Sequence, residues 1–150
     1  MSTATKFRRA ATPTFGVPSP TIIYTSPFCV SAGSHPRRGP AGLELFDDVL
    51  DLSQDGGDTH IERHVAAWRT PNGYLAGVLH LYPHGQRHRH PDARKAPGEY
   101  HISVDPEYQG RGIGLALLRA ADEEWGIDFW RQSYTIAGYN LVLKYLQEGR

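Results

Sequence analysis

The segment Val104-Asp105-Pro106-Glu107-Tyr108-Gln109-Gly110-Arg111-Gly112-Ile113-Gly114-Leu115-Ala116-Leu117-Leu118 constrains this 150-residue chain more than any other. A strand-like run stops at Asp105-Pro106, and three alternating glycines then lead into Ile113, Leu117, Leu118, Ala121 and Trp125, which recur at helical spacing. Strand, tight loop and helix N-terminus are therefore predicted to meet between His101 and Trp125. Glycine lets backbone amides come close to an anion. The unpaired N–H groups of a first helical turn, at the positive end of the dipole, favour a phosphate at such a junction. Spacing separates the kinds of phosphate loop. A Walker loop ends in Gly-Lys-Ser/Thr, which is absent, and a dinucleotide fingerprint needs Gly-x-Gly-x-x-Gly, whereas Gly110, Gly112 and Gly114 stand at every second position.

The rest of the chain reads as an α/β (α+β) domain. Residues 1–20, with three prolines and many small polar side chains, are expected to be a flexible tail, and 21–150 a single domain. The run 21–30 has strand character, though Pro27 would confine it to an edge. In 43–52, Leu43, Leu45, Phe46, Val49, Leu50 and Leu52 fit a short amphipathic helix that ends before Gly56-Gly57. Residues 61–69 and 74–82 form the clearest hairpin, joined by Thr70-Pro71-Asn72-Gly73, in which Gly73 supplies the positive φ that closes the turn. A polar, histidine-rich connection follows over 83–98. Beyond it come a strand at 99–104, the glycine loop, a helix to Trp125, a short strand at 127–132 and a helix over about 136–147 with Thr135 as its N-cap. A hairpin followed by strand, helix, strand and helix predicts a mixed sheet flanked by helices.

Composition narrows the classes of function. Sixteen Lys plus Arg balance sixteen Asp plus Glu, which leaves no field to steer the molecule to nucleic acid or an anionic membrane, and there is no basic stripe. No apolar run approaches the length of a membrane span. Cys29 is the single cysteine, so an intrachain disulfide and a four-cysteine zinc site are excluded, and a reducing, cytoplasmic location is the expectation. The tail before Glu44 carries only positive charge but has no apolar h-region, so it reads as a tail rather than a targeting peptide. His80, His84, His88 and His90 invite a metal reading, particularly the run 84–90. Arg87 and Arg89 between them put positive charge where a cation would sit, so no metal is expected.

The glycine segment resembles the acetyl-coenzyme-A signature of the GNAT N-acetyltransferase superfamily, Arg/Gln-x-x-Gly-x-Gly/Ala, which Gln109, Gly112 and Gly114 match. The flanking Val-x-Pro turn and Tyr-x-Gly-x-Gly-Ile-Gly run agree as well. The resemblance implies a mostly antiparallel mixed sheet flanked by helices, here lacking the last strands of the full fold, with a homodimer as one way to complete the sheet edge. It implies that the loop amides of Gly110, Arg111, Gly112, Ile113, Gly114 and Leu115, with Gln109, bind the coenzyme pyrophosphate, and that Arg111 adds a charge-assisted contact. A main-chain N–H around Ser103 and Val104 would polarise the thioester carbonyl. A second family pattern, Asn-x-x-Ala-x-x-x-Tyr-x-x-x-Gly-Phe, matches at Tyr145 and Gly149, while Gly138, Leu141 and Arg150 take its asparagine, alanine and phenylalanine positions. Tyr145 becomes the candidate general acid for the leaving thiolate, with Tyr139 a neighbouring alternative on another face.

Acyl transfer to an amine also needs a base. Glu99 and His101 alternate on one face of the predicted strand, and the residues alone leave the choice between them open. The activity implied is transfer of an acetyl or other short acyl group from acetyl-CoA to a primary amine of a small molecule or a polypeptide, by direct attack in a ternary complex. A coenzyme-A-binding regulatory module without transfer is the alternative.

Overall fold

The computed structural model of the chain describes residues 21–22 and 39–148. The expected tail 1–20, Cys29, most of the 21–30 run, Gly149 and Arg150 lie outside the described residues. Among the described residues six strands and two α-helices follow in chain order: β1 (Thr21–Ile22), β2 (Gly42–Leu50), β3 (Ile61–Arg69), β4 (Leu75–Tyr82), β5 (Glu99–Val104), α1 (Ile113–Trp125), β6 (Ser133–Tyr134) and α2 (Ile136–Gln147). Strands β2, β3, β4 and β5 make one antiparallel sheet in sequential order, and β1 pairs in parallel with β6 apart from it. The fold is α+β, and the parallel element of the expected mixed sheet is confined to that short pair.

The β3–β4 hairpin forms as its turn chemistry dictates. Gly73 sits at φ +86°, its N–H donates to the Thr70 carbonyl, and the Thr70 N–H reaches back to the Tyr74 carbonyl. Both strands are almost wholly buried. Registers Ala66↔Leu79↔Ile102 and Trp68↔Gly77↔Val104 place one row of side chains under α1. Gly77 is where helix and sheet come closest, since a Cβ there would meet Ile113 Cγ2 at 2.9 Å and Leu117 Cδ1 at 3.1 Å. Ile113, Leu117, Leu118 and Ala121 bury the apolar stripe of α1 on this row.

Two local expectations are corrected. Residues 43–52 do not form a helix: Gly42–Leu50 is the edge strand β2, paired with β3 throughout from Gly42↔Arg69 to Leu50↔Ile61. The pairing draws Asp48 to Arg63 as a bidentate ion pair with contacts of 2.8 and 2.6 Å, and Asp47 to His64 Nδ1 at 2.7 Å. Cross-strand charge pairs thus settle a segment whose apolar spacing fitted a helix. Nor is 127–132 a strand. Asp128 caps a single 3-10 turn over Phe129–Arg131 by accepting from the Trp130 N–H, and the strand begins only at Ser133.

The second helix matches its expected limits. Thr135 Oγ1 accepts from the Gly138 N–H at 3.0 Å as N-cap. Helix α2 runs broadly parallel to α1: a Cβ on Gly114 would lie 3.2 Å from Leu141, and further along both helices Tyr145 reaches Asp122. Both helix N-termini therefore open toward the same end of the molecule, beside the C-terminal end of β5. Among the described residues no helix is long and apolar enough to cross a membrane, and no group of three His, Cys, Asp or Glu could hold a metal ion.

Candidate active site

Among the described residues strand β5 has a ladder neighbour on one side only, β4. The Asp105 N–H donates to the Ala76 carbonyl of β4, so in an antiparallel ladder the odd-numbered residues of β5 turn their backbone groups toward β4. Even-numbered residues turn theirs outward. The Tyr100 N–H accordingly donates to Gln132 Oε1 at 3.1 Å, and the Val104 carbonyl accepts from Gln109 Nε2 at 3.1 Å. Between these two ends, the N–H groups of Ile102 and Val104 and the carbonyls of Tyr100 and Ile102 face away from the sheet.

They face a cleft of about 450 Å³. Strand β6 approaches β5 but does not pair with it. Gln132, which also donates to the Gly98 and Asp128 carbonyls, pins the two together at the Tyr100 end. Tyr100, His101, Ile102 and Val104 form one wall, with Ser133, Tyr134 and Thr135 opposite; the glycine loop and the first turn of α1 close one end, and Ala137, Gly138, Leu141 and Lys144 of α2 extend the far side. The volume lies in the range of small-molecule sites.

The loop is built to leave donors open. Asp105 Oδ1 accepts from the Glu107 N–H, Oδ2 accepts from the Tyr74 hydroxyl at 2.5 Å, and Pro106 starts a 3-10 turn. Gly110 and Gly112 then take φ +79° and +83°, the left-handed region that side chains resist. A Cβ on either would meet nothing within 4 Å, so their role is conformational and the space above them is open. Gly112 is the N-cap of α1. The N–H groups of Ile113, Gly114 and Leu115 precede the first intrahelical bond, which is Ala116 N–H to the Gly112 carbonyl, and they have no partner within the helix. This combination of open space, unpaired donors and positive helix end fits a pyrophosphate.

Of the residues expected at the site, His101, Val104, Gln109, Gly110, Gly112, Ile113, Gly114 and Leu115 come together in the cleft. Four others do not line it. Ser103 is buried beside His101, its Oγ 3.4 Å from His101 Nε2, and its N–H belongs to the β4 ladder, so the outward donors are those of Ile102 and Val104. Arg111 lies over the Tyr108 ring at 5.0 Å and lines a separate depression with Trp68 and the 70–72 turn. Glu99 turns back, its Oε1 accepting from the Ala96 N–H at 2.9 Å. Tyr145 is fully buried, and its hydroxyl donates to Asp122 Oδ2 at 2.6 Å, which corrects the expectation that this tyrosine meets a leaving thiolate. Helix phase is the reason. Residues 137, 138, 141 and 144 face the cleft, whereas Val142, Tyr145 and Leu146 face the core.

The cleft contains tyrosines that the sequence reading passed over. Tyr134 donates to the Phe129 carbonyl at 2.5 Å, and burial pushes the Tyr134 and Tyr100 hydroxyls well above the ordinary tyrosine range, so both stay protonated. Strand alternation could have found Tyr100 and Ile102, which share the face of Val104. Nothing in the local sequence marks Tyr134 or Lys144.

Comparison with known proteins agrees with this architecture. No curated protein and no solved structure matches the chain. A family model described as acetyltransferase (GNAT) domain matches residues 61–146, more than half of the chain, and spans the hairpin, β5, the glycine loop and both helices. The chain therefore belongs to the GNAT acetyltransferase family.

Proposed function

We propose that this chain is an acetyl-CoA-dependent N-acyltransferase that transfers an acetyl or other short acyl group to a primary amine. The observation that carries the reading is one continuous cleft that joins the open amides of α1 to the unpaired edge of β5. The pyrophosphate would rest on the N–H groups of Gly112–Leu115, and the pantetheine arm would extend the sheet along β5 through the outward groups of Ile102 and Val104. Its thioester would then lie near Tyr100 and His101, where Gln132 closes the cleft.

In the chemical step the amine lone pair attacks the thioester carbonyl carbon. A C–N bond forms, the C–S bond breaks, the nitrogen loses a proton and the sulfur gains one. An outward N–H of β5 would stabilise the charge that develops on the carbonyl oxygen. His101 is the base in this reading: it is the one histidine among the described residues that line the cleft, with its Nε2 3.4 Å from Ser103 Oγ, whereas Glu99 is turned to Ala96. The proton for sulfur would come from a tyrosine that lines the cleft, Tyr100 or Tyr134, rather than from Tyr145.

A second reading, coenzyme binding without transfer, draws support from the absence of any carboxylate among the described residues that line the cleft. Calorimetry with acetyl-CoA, followed by a thiol-release assay against a panel of primary amines and lysine peptides, separates the two. Binding with release that falls at least tenfold in His101→Gln supports the enzyme; such a loss is modest for a general base. Binding with no release from any amine supports the module. An absence of binding rejects both.

A further inference from the structure

We infer that Lys144 recognises the 3′-phosphate of the coenzyme and makes the protein discriminate coenzyme A from its 3′-dephospho form. The inference rests on the proposed pyrophosphate site at the N-terminus of α1. The cleft has two ends relative to that site: the strand end, at Tyr100 and His101, and a helical end, lined by Leu115 of α1 with Leu141 and Lys144 of α2. A pantetheine arm that occupies the strand end leaves the nucleoside to the helical end. The 3′-phosphate hangs one ribose away from the pyrophosphate, so its partner must lie within a few ångströms of the first turn of α1.

Lys144 meets this requirement by helix geometry. Leu141 packs where Gly114 brings α1 and α2 together, 3.2 Å from the position a Cβ would take. Lys144 lies three residues further, about 4.5 Å along the α2 axis, and side chains on a helix lean toward its N-terminus, here back toward the α1 amides. It is exposed and forms no ion pair among the described residues, because Glu148 is engaged by Arg119 at 3.9 Å. Among the described residues that line the cleft it is the single Lys or Arg. The one alternative cation of the loop, Arg111, lies over Tyr108 and belongs to the separate depression beside the 70–72 turn. A cation facing a doubly charged phosphate at a half-open site is worth about tenfold in affinity.

The test is calorimetric titration of the full chain with coenzyme A and with 3′-dephospho-coenzyme A, for wild type, Lys144→Ala, Lys144→Arg and Arg111→Ala. Wild type is expected to favour coenzyme A by about tenfold. Lys144→Ala should bind both ligands within about twofold of each other while keeping the wild-type affinity for the dephospho form, a readout that misfolding would not produce. Lys144→Arg should keep the preference. Equal binding of both ligands by wild type, or a preference that survives Lys144→Ala, overturns the inference and leaves the pyrophosphate site standing. Collapse in Arg111→Ala instead moves the phosphate to the hairpin depression and likewise overturns it. If wild type binds neither ligand, the proposed function falls as well.

Discussion

Replacing Tyr145 by phenylalanine removes one oxygen atom and separates two accounts of this residue. The hydroxyl donates at 2.6 Å to Asp122, a carboxylate with no exposed surface whose other oxygen accepts from the Ile127 N–H at 3.1 Å. Phenylalanine fills the same volume, so no cavity term enters. The loss is that of a hydrogen bond to a fully buried acceptor, about 2 kcal/mol. For a domain of this size that lowers Tm by about 4–8 °C. The pair joins α1 to α2, so Asp122→Asn should be coupled to it, and a double-mutant cycle in urea should return about 1–2 kcal/mol of interaction. Turnover measured well below Tm should stay within about twofold, since a side chain buried against the core does not touch the reacting atoms. A fall of about a hundredfold in kcat with an unchanged Tm would refute this reasoning and restore Tyr145 as the acid.

Two further predictions follow from packing and burial. Gly77→Val places atoms 2.9 Å from Ile113 and 3.1 Å from Leu117 and should cost about 1–3 kcal/mol by pushing α1 off the sheet; a urea midpoint unchanged from wild type would show that the helix is not seated as described. The raised pKa values of Tyr100 and Tyr134 mean that the folded state holds these protons more tightly than the unfolded chain. Their stabilising effect is then complete below the ordinary tyrosine pKa of about 10 and lost as pH rises above it, at up to about 1.4 kcal/mol per pH unit for each phenol. Urea midpoints between pH 8 and 11 should fall steeply above pH 10, and less steeply in Tyr100→Phe; a flat profile would contradict the burial.

Much of the site was legible because it is local. Strand, Asp-Pro turn, three glycines and helix occupy one stretch of sequence, and each step there follows from backbone conformation, so the loop and α1 could be read without the rest of the fold. The Thr135 cap and the Gly73 turn were legible for the same reason. What was lost depended on partners far along the chain. In β2 the spacing of Leu43, Leu45, Phe46, Val49 and Leu50 fits a helix, and only pairing with β3, through Asp48 with Arg63 and Asp47 with His64, makes it an edge strand. Tyr145 could be matched to a motif, but which face of α2 turns to the cleft depends on how α2 docks on Gly114 and Asp122. Ser103 and Ile102 are adjacent in sequence, and the choice of outward N–H between them rests on the register with β4.

A coenzyme seated as proposed touches the backbone at the glycine loop and along the outward edge of β5. Titration of the ¹⁵N-labelled protein with coenzyme A, followed by amide spectra, should give its largest shifts at Gly112, Ile113, Gly114 and Leu115 and at the outward amides Ile102 and Val104. Ser103, whose N–H is committed to β4, should move less than either neighbour, and the amide of the buried Tyr145 should scarcely move. Shifts that centre on the Trp68 and Arg111 depression, or that leave the first turn of α1 unmoved, would contradict the claim that this glycine loop holds the pyrophosphate.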